Sequence, residues 1–458
     1  MNVLFIHQDM PGQFAHLAAY LARDAANRVV FLTKGKKAAP PGVTPALYTP
    51  PSASGSDPFL RGFESAVLHG RAVANACLDL QNRGFIPDII VAHPGWGESL
   101  YIKDVIPTAK LISYCEFFYH ATGADIGFDP TEHVDGAMAA MLRTRNAHLL
   151  LALEACDHGI SPTEWQRSLH PQEYHRKIDV IFDGIDADRV QPDAGARFSL
   201  GDGSVLTRDN TVITYVARNL EPYRGFPSFM RAVPQILSRL PDAHIVIVGG
   251  DEVSYGRAPD DGRNWRQVMM QEVRTDAARV HFTGQIPYDD YISLLQVSSA
   301  HVYLTVPFVL SWSFMEALSA GCIVIGSQTA PVMEILRDGA NGFLADFFSP
   351  MDIAKKVVSA VRHGADLDGM RSRARLTIVG HYDLATCPRP WSVAHDPQSP
   401  ALPARRRGVL ARGRQAASSR PSPRVLSEVR AHAGVRVCDD LCLQLHRAAG
   451  TALFHAAL

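Results

Sequence analysis

The chain has 458 residues, of which 47% are hydrophobic, and its formal net charge is −1. A chain of this length is expected to form two or three domains with large cores, and its nearly neutral charge argues against nucleic acid as a partner. The seven cysteines are scattered, which predicts a reduced protein. The chain starts on a strand pattern without a signal peptide and lacks an apolar stretch of roughly 20 residues. We therefore expect a cytoplasmic protein that is in at most peripheral contact with a membrane.

Short apolar runs alternate with amphipathic segments of helix length over most of the chain. A first series of runs occupies residues 3–7, 29–33, 88–93, 111–118, 158–163 and 180–185. A second series occupies residues 212–218, 244–250, 280–286, 300–306, 322–326 and 342–347. Strands that are apolar on both faces and separated by helices are typical of covered parallel sheets. The sequence therefore predicts an α/β protein with two doubly wound, Rossmann-like domains.

The segment 180–210 leaves the last strand of the first series, passes through turn residues and becomes polar before the second series begins. It predicts a first domain at residues 1–190 and a second at residues 191–385. Residues 386–458 are rich in Arg, Pro and Ala and have lost the hydrophobic periodicity. This composition predicts an irregular C-terminal tail, either disordered or read out of frame.

Ligands of open α/β sheets bind beyond the carboxyl ends of the strands, so the residues at each strand exit are candidates for the site. In the first domain they are Gly12, which would permit close approach of a ligand, and the candidate catalytic residues His93, Glu116 and His120. Glu116 and His120 could face the same crevice. A structural turn histidine at 93 and an ordinary Glu–His pair remain alternatives. The absence of the three-glycine dinucleotide fingerprint argues against a dehydrogenase.

In the second domain, Arg218 and Arg224 bracket a proline turn after a predicted strand. Guanidinium groups bind phosphate in bidentate fashion, so this position favours a diphosphate clamp over surface salt bridges. Later strand exits contribute further candidate donor-binding residues. These are Gly249, Asp251 and Ile286, the last in a segment whose backbone could meet a planar base.

The loop 309–313, with Leu310, Ser311, Trp312 and Ser313, precedes a predicted helix and offers backbone N–H groups to an anion. Glu316 follows inside an apolar run, where an unpartnered carboxylate would be costly. It either faces the crevice and accepts hydrogen bonds from a polyhydroxylated ligand, or is favoured by the helix dipole alone.

Five runs, in their order and spacing, resemble the retaining glycosyltransferases of the family-4 type, glycosyl transferases group 1. The runs are VIFDGID, ARNLEPYRG, IVGGD, FTGQIPYDDY and FMEALSAGCIVIGSQTAPVMEILRDGANGFL. The resemblance covers about residues 1–385. It implies the GT-B fold, in which two Rossmann-like domains face a central cleft. It also implies an NDP-sugar donor on the second domain and an acceptor largely on the first.

The resemblance assigns roles to several of these residues. Arg218 and Arg224 would hold the diphosphate, Glu316 would lie near the donor ribose, and His93 would lie near the transferred sugar. The loop 309–313 would contact the sugar and phosphate through its backbone.

The sequence departs from the family where Phe308 stands at the position of a glutamate that normally contacts sugar hydroxyls. Ser311 or Ser313 could substitute for that glutamate, and the preferred sugar stays open.

The implied function is transfer of a sugar from an NDP-sugar, with retention, to a sugar, a lipid-linked acceptor or a small molecule. Such transfer would serve cell-surface polysaccharide, glycolipid or glycoconjugate synthesis, in the cytoplasm or on the inner face of the membrane. Cationic side chains would stabilise the leaving diphosphate, so neither a metal nor another cofactor is expected. The alternatives are a nucleotide-sugar epimerase of the same fold and a non-catalytic protein that binds an NDP-sugar or a partner.

Overall fold

The structure is a computed structural model and describes residues 1–387 apart from Ser54, Ser56 and Thr386. The predicted tail therefore lies outside the described residues, except for the buried Cys387. Within the described part of the chain, no helix is both long and apolar enough to cross a membrane.

The first domain is built on a seven-stranded parallel sheet. Its strands are β1 (Asn2–Ile6), β2 (Arg28–Thr33), β3 (Thr44–Leu47), β4 (Ile89–Ala92), β5 (Lys110–Tyr114), β6 (His158–Ser161) and β7 (Ile178–Val180). They lie in the order β3-β2-β1-β4-β5-β6-β7. Its helices are α1 (Ala15–Ala22), α2 (Arg61–Asn82), α3 (Ile102–Val105), α4 (Gly136–Arg145), α5 (Ala147–Ala155) and α6 (Glu164–Ser168).

Both faces of this sheet are buried, which explains why its central strands are apolar throughout. Val3 and Phe5 of β1 pack into a cluster on one face, whereas Leu4 and Ile6 pack into a cluster on the other. Successive side chains of a strand point to opposite faces, so a strand covered twice needs apolar residues at every position.

The second domain follows a short antiparallel hairpin of β8 (Phe198–Ser199) and β9 (Val205–Leu206). Its strands are β10 (Val212–Asn219), β11 (His244–Gly250), β12 (Val280–Gly284), β13 (Ala300–Tyr303), β14 (Val324–Ser327) and β15 (Phe343–Ala345). They form a parallel sheet in the order β12-β11-β10-β13-β14-β15. Its helices are α7 (Phe226–Arg239), α8 (Trp265–Glu272), α9 (Tyr288–Val297), α10 (Trp312–Ser319), α11 (Ala330–Ile335), α12 (Pro350–Arg362) and α13 (Asp368–His381).

Each sheet reverses its strand order at its first strand, β1 in one domain and β10 in the other. Reversal places a crevice at the carboxyl ends of the strands, where ligands of this architecture bind. The two doubly wound domains predicted from the sequence are thus confirmed.

The chain passes from the first domain to the second just after β7. Phe182, Ile185 and Val190 are buried among side chains of the second domain, so the predicted boundary at residue 190 falls inside this junction. The segment after α13 pairs with the junction at one point: the Ile185 N–H donates to the Tyr382 carbonyl at 2.7 Å, and the Leu384 N–H donates to the Ile185 carbonyl at 2.9 Å. The end of the second domain is therefore bonded to the segment that links the domains.

A further contact joins the domains beside this junction. Both carboxylate oxygens of Glu334 on α11 accept backbone N–H groups at the start of α6, from Glu164 at 2.9 Å and Trp165 at 2.8 Å. These N–H groups have no partner within their own helix, so the contact satisfies donors of one domain with a carboxylate of the other.

Candidate functional site

A cavity of about 340 Å³ lies between the domains, at the carboxyl ends of both sheets. Seven of the residues predicted from the sequence line it. They are Gly12, Glu116, Arg218, Arg224, Leu310, Ser311 and Trp312. The ends of the strands therefore bring residues from distant parts of the chain to one place.

Glu116 presents its carboxylate to the cavity from the loop after β5. His93 Nε2 lies 3.2 Å from Glu116 Oε2, and Gln13 Nε2 donates to Glu116 Oε1 at 2.6 Å. The Gly95 N–H donates to His93 Nδ1 at 3.1 Å, so Nε2 carries the proton and donates to Glu116. The two side chains are thus oriented by a chain of hydrogen bonds.

His93 lies behind Glu116 and not at the surface of the cleft. Its side chain is 5% exposed, against 21% for Glu116. It lines a small adjoining cavity of about 40 Å³. The geometry therefore suits His93 to positioning Glu116.

Glu116 is ionised at neutral pH. Burial by itself would raise its pKa, but hydrogen bonds from His93 and Gln13 and the charge of Arg224 outweigh burial and lower the pKa below its ordinary value. One wall of the cleft therefore carries a fixed negative charge.

Gly12 lines the cavity and also leaves room for the neighbouring His7 ring. Its φ is +49°, and a Cβ at this position would lie 2.7 Å from the His7 ring. Glycine is the residue that tolerates both conditions. The His7 ring packs 5.0 Å from His93 and 5.1 Å from Trp96, between centroids. Burial and the nearby His93 lower the pKa of His7, which is therefore neutral.

The opposite wall carries Arg218 and Arg224. Arg224 is 8% exposed, and its Nη1 donates to Thr305 Oγ1 at 2.8 Å and to the Val309 carbonyl at 3.0 Å. These acceptors are neutral, and no carboxylate of the described residues forms a direct ion pair with it. Arg218 is exposed at the cavity rim. Two guanidinium groups therefore face the cleft from the second domain.

The loop 309–313 is held in place by Tyr303 and by a carboxylate of the first domain. The Ser311 N–H donates to Tyr303 Oη at 3.0 Å, and Ser311 Oγ lies 2.6 Å from Ser313 Oγ. Trp312 Nε1 donates to Asp183 Oδ2 at 2.8 Å, while Tyr114 Oη donates to Asp183 Oδ1 at 2.7 Å. Asp183 thereby fixes the loop against the first domain.

Asp183 gives a testable pH dependence of stability. Burial raises its pKa to about 7, although the bonds from Tyr114 and Trp312 oppose this shift. Its pKa in the unfolded chain is about 3.9, so the folded state binds more protons between these values and stability falls as pH rises from about 4 to about 7. Asp183→Asn removes this titration. We expect the melting temperature of the variant, relative to the wild type, to increase between pH 5 and pH 8; parallel pH profiles would contradict this assignment.

Glu316 is buried within α10 and lies outside the cavity lining. Tyr288 Oη donates to its Oε1 at 2.6 Å and Tyr291 Oη donates to its Oε2 at 2.8 Å. Two phenols on α9 thus satisfy the carboxylate that the sequence places in an apolar run. The residue lies beyond the first turn of α10, where the helix dipole has little effect. Its predicted contact with a donor ribose stays a prediction.

The remaining predicted residues do not reach the cavity lining. His120 Nε2 lies 2.7 Å from the Leu169 carbonyl, so this ring nitrogen has its hydrogen-bond partner within the first domain. His120 therefore does not share the cavity lining with Glu116, and the histidine that contacts Glu116 is His93. Asp251 is ion-paired with Arg266 at 3.4 Å. Gly249 and Ile286 lie at the ends of β11 and β12, away from this cavity.

The sequence analysis did not single out most of the other residues that line the cavity, among them His7, Gln13, Asp125 and Asp183. His7 and Gln13 follow β1, Asp183 follows β7, and Asp125 lies in the long loop after β5. The strand-exit rule would have identified His7 and Gln13, which end or follow the predicted strand 3–7. Asp183 lies inside the predicted run 180–185, and Asp125 carries no such sequence signal.

Two family models match the chain. The Glycosyl transferase family 4 group matches residues 25–190, and Glycosyl transferases group 1 matches residues 203–377. Each match covers one of the two domains seen in the structure.

The chain is also similar to curated mycobacterial proteins. It is 28% identical over 159 residues to a phosphatidyl-myo-inositol mannosyltransferase of Mycolicibacterium smegmatis, covering 34% of this chain and 36% of the relative. It is 30% identical over 203 residues to a D-inositol 3-phosphate glycosyltransferase of a Mycobacterium species, covering 43% of this chain and 42% of the relative. The chain thus matches less than half the length of these relatives.

Solved structures share the fold over most of the chain. HepE of Anabaena in complex with UDP has a TM-score of 0.60 and 13% identity, covering 86% of this chain and 99% of that one. Sucrose-phosphate synthase of Thermosynechococcus elongatus has a TM-score of 0.63 and 15% identity, covering 86% and 98%. With the two family matches, one to each domain, the chain belongs to the family-4 glycosyltransferases, glycosyl transferases group 1.

Proposed function

We propose that this protein transfers a sugar from an NDP-sugar to an acceptor with retention of the anomeric configuration. The observation that carries the proposal is the opposite charge of the two cleft walls. Glu116 supplies a negative charge from the first domain, and Arg218 and Arg224 supply positive charges from the second. A cavity of about 340 Å³ separates them, which is the scale of a small-molecule site.

These charges suit the transition state of glycosyl transfer. As the bond between the anomeric carbon and the diphosphate breaks, positive charge builds on the sugar and negative charge builds on the leaving diphosphate. Arg218 and Arg224 would stabilise the diphosphate, and Glu116 would stabilise the sugar. His93 would keep Glu116 in place through its Nε2–H. The departing diphosphate would take the proton of the acceptor hydroxyl.

The names of the relatives suggest the classes of substrate. HepE of Anabaena has been solved with UDP-glucose, which supports a nucleotide-sugar donor. The mycobacterial relatives are named for inositol-based substrates, which supports a polyol or lipid-linked acceptor. We therefore place the reaction in glycolipid or cell-surface glycoconjugate synthesis, in the cytoplasm or at the inner face of the membrane.

The test is a screen of NDP-sugars for NDP release, with and without candidate acceptors. NDP release that depends on an acceptor, with a product whose anomeric configuration by NMR matches the donor, supports the proposal. An epimerised sugar released without an acceptor would identify an epimerase. NDP-sugar binding without turnover would identify a binding protein.

Turnover should not require a divalent cation. The two guanidinium groups already supply positive charge to the leaving diphosphate, and arginine binds phosphate oxygens directly. We expect NDP release at an unchanged rate after dialysis against EDTA. A loss of turnover that Mn²⁺ or Mg²⁺ restores would show that the arginines are insufficient.

A further inference from the structure

Four aromatic side chains cluster in the lining of the cleft. Phe308 packs against Phe117, Tyr223 and Tyr255, with ring centroids 4.8, 5.5 and 5.1 Å away. Phe117 comes from the first domain and the other three from the second, and all four line the cavity. We define these four residues as the aromatic wall. Its rings offer apolar faces to a ligand with a flat apolar side.

Asp125 lies at the edge of this wall. Tyr223 Oη donates to Asp125 Oδ2 at 2.6 Å, and Asp125 is 7% exposed. Its other oxygen, Oδ1, has no hydrogen-bond partner among the described residues. A buried acceptor without a donor is costly. Arg145 lies nearby but is held by Tyr119, with Cζ 3.7 Å from that ring centroid and Nη2 donating to Tyr119 Oη at 2.9 Å.

We propose that Asp125 and the aromatic wall form a subsite for a pyranose ring. The C–H face of the sugar stacks on the rings, and Asp125 accepts one of its hydroxyl groups. The proposal rests on the function proposed above and names the group that selects the sugar. A hydroxyl donates to a carboxylate more strongly than to a neutral acceptor, so Asp125 favours a sugar with a hydroxyl at this point.

The position of the subsite suits either the donor sugar, which is attached to the diphosphate, or an acceptor sugar, which receives the transferred sugar while the diphosphate leaves. Arg224 Cζ lies 5.2 Å from the Tyr255 ring centroid, so the aromatic wall adjoins the proposed diphosphate clamp. Residue 308 itself is phenylalanine and accepts no hydrogen bond. Ser311 and Ser313, the substitutes suggested by the sequence, already contact each other at 2.6 Å. Asp125 instead supplies a carboxylate from the first domain.

Asp125→Asn tests the proposal, because the amide keeps the size and an acceptor for Tyr223 but replaces the second oxygen by a donor. Asp129→Asn is the matched control, because Asp129 is an exposed aspartate of the same loop whose carboxylate accepts from Thr131 and does not line the cavity. Affinity for the NDP alone and for the NDP-sugar is measured by calorimetry, and the KM of the acceptor by NDP release.

We expect Asp125→Asn to leave NDP affinity unchanged. If the subsite holds the donor sugar, NDP-sugar affinity falls about 10- to 100-fold, the effect of one hydrogen bond to a charged group. If it holds the acceptor sugar, NDP-sugar affinity is kept and the acceptor KM rises by that factor. Unchanged values for both would overturn the proposal.

A second variant covers the case in which Asp125→Asn does not fold. Phe308→Leu removes one face of the aromatic wall and leaves the bond between Tyr223 and Asp125. It should lower the NDP-sugar affinity or raise the acceptor KM, whichever Asp125→Asn changes, while the NDP affinity is kept. If neither quantity changes, the proposal is overturned. Failure of the proposed function is distinct, because the wild type would then show no turnover of any NDP-sugar.

Discussion

Replacing Arg224 by alanine is expected to weaken nucleoside diphosphate binding by about 1.5–3 kcal/mol, roughly 10- to 150-fold in affinity. Arg224 is 8% exposed, and its guanidinium donates to neutral oxygens of Thr305 and Val309. Its charge is therefore available to a diphosphate in a site where water screens little. Calorimetric titration of the NDP measures the effect.

Two further variants sharpen this experiment. Arg224→Lys keeps the charge but loses the planar set of donors, so its affinity should fall between those of the wild type and the alanine variant. Arg231→Ala is the control, because Arg231 is an exposed arginine of the same domain, paired with Glu272 at 2.6 Å. Equal affinities for the wild type and Arg224→Ala would remove Arg224 from the diphosphate site.

Glu116→Gln should lower kcat by about 10²–10³-fold, the range for loss of one preorganised electrostatic group. The amide has nearly the same shape but no charge, and it offers one acceptor oxygen to two donors, His93 and Gln13. Stabilisation of positive charge on the sugar is lost, whereas Arg218 and Arg224 on the opposite side of the cleft are unchanged. NDP affinity should therefore stay within about twofold while turnover falls. Steady-state kinetics and calorimetry on one preparation measure both.

The matched control for this variant is Glu98→Gln. Glu98 is a fully buried carboxyl that accepts a bond from Tyr48 Oη at 2.9 Å and does not line the cleft. The variant makes the same exchange of a carboxyl for an amide, although burial raises the pKa of Glu98 to about 7, so less negative charge is removed there at neutral pH. A comparable loss of kcat in both variants would indicate general damage to the first domain. A kcat for Glu116→Gln near the wild-type value would exclude Glu116 from the reaction.

The sheets could be predicted because their strands are buried on both faces. β1 and β10 read as continuous apolar runs, and parallel pairing follows from the helices between them. The edge strand β3 could not be predicted, since Thr44–Leu47 is mostly exposed and contains Pro45. An edge strand needs neither an apolar face nor every backbone N–H, so its sequence resembles a loop.

The sequence could predict only those residues of the site that lie at the ends of strands. Glu116 and Arg224 follow central strands, and topology alone brings them to the cleft. The partner of Glu116 could not be predicted, because β5 ends at Tyr114 and the path of the following loop decides whether His93 or His120 approaches. Asp125 depends on the same loop. Its closeness to Phe308, almost two hundred residues later in the chain, is a property of the packed domains alone.

The pairing at Ile185 has a mechanical consequence when it is taken with the other bonds between the domains. Any rotation of one domain against the other must keep or break the bonds of 2.7 and 2.9 Å that join Ile185 to Tyr382 and Leu384. The same holds for the bonds that Asp183 and Asp125 accept from Trp312 and Tyr223. Widening the cleft between Arg224 and Glu116 therefore costs hydrogen bonds between the domains, and the separation of their charges is fixed for as long as those bonds hold.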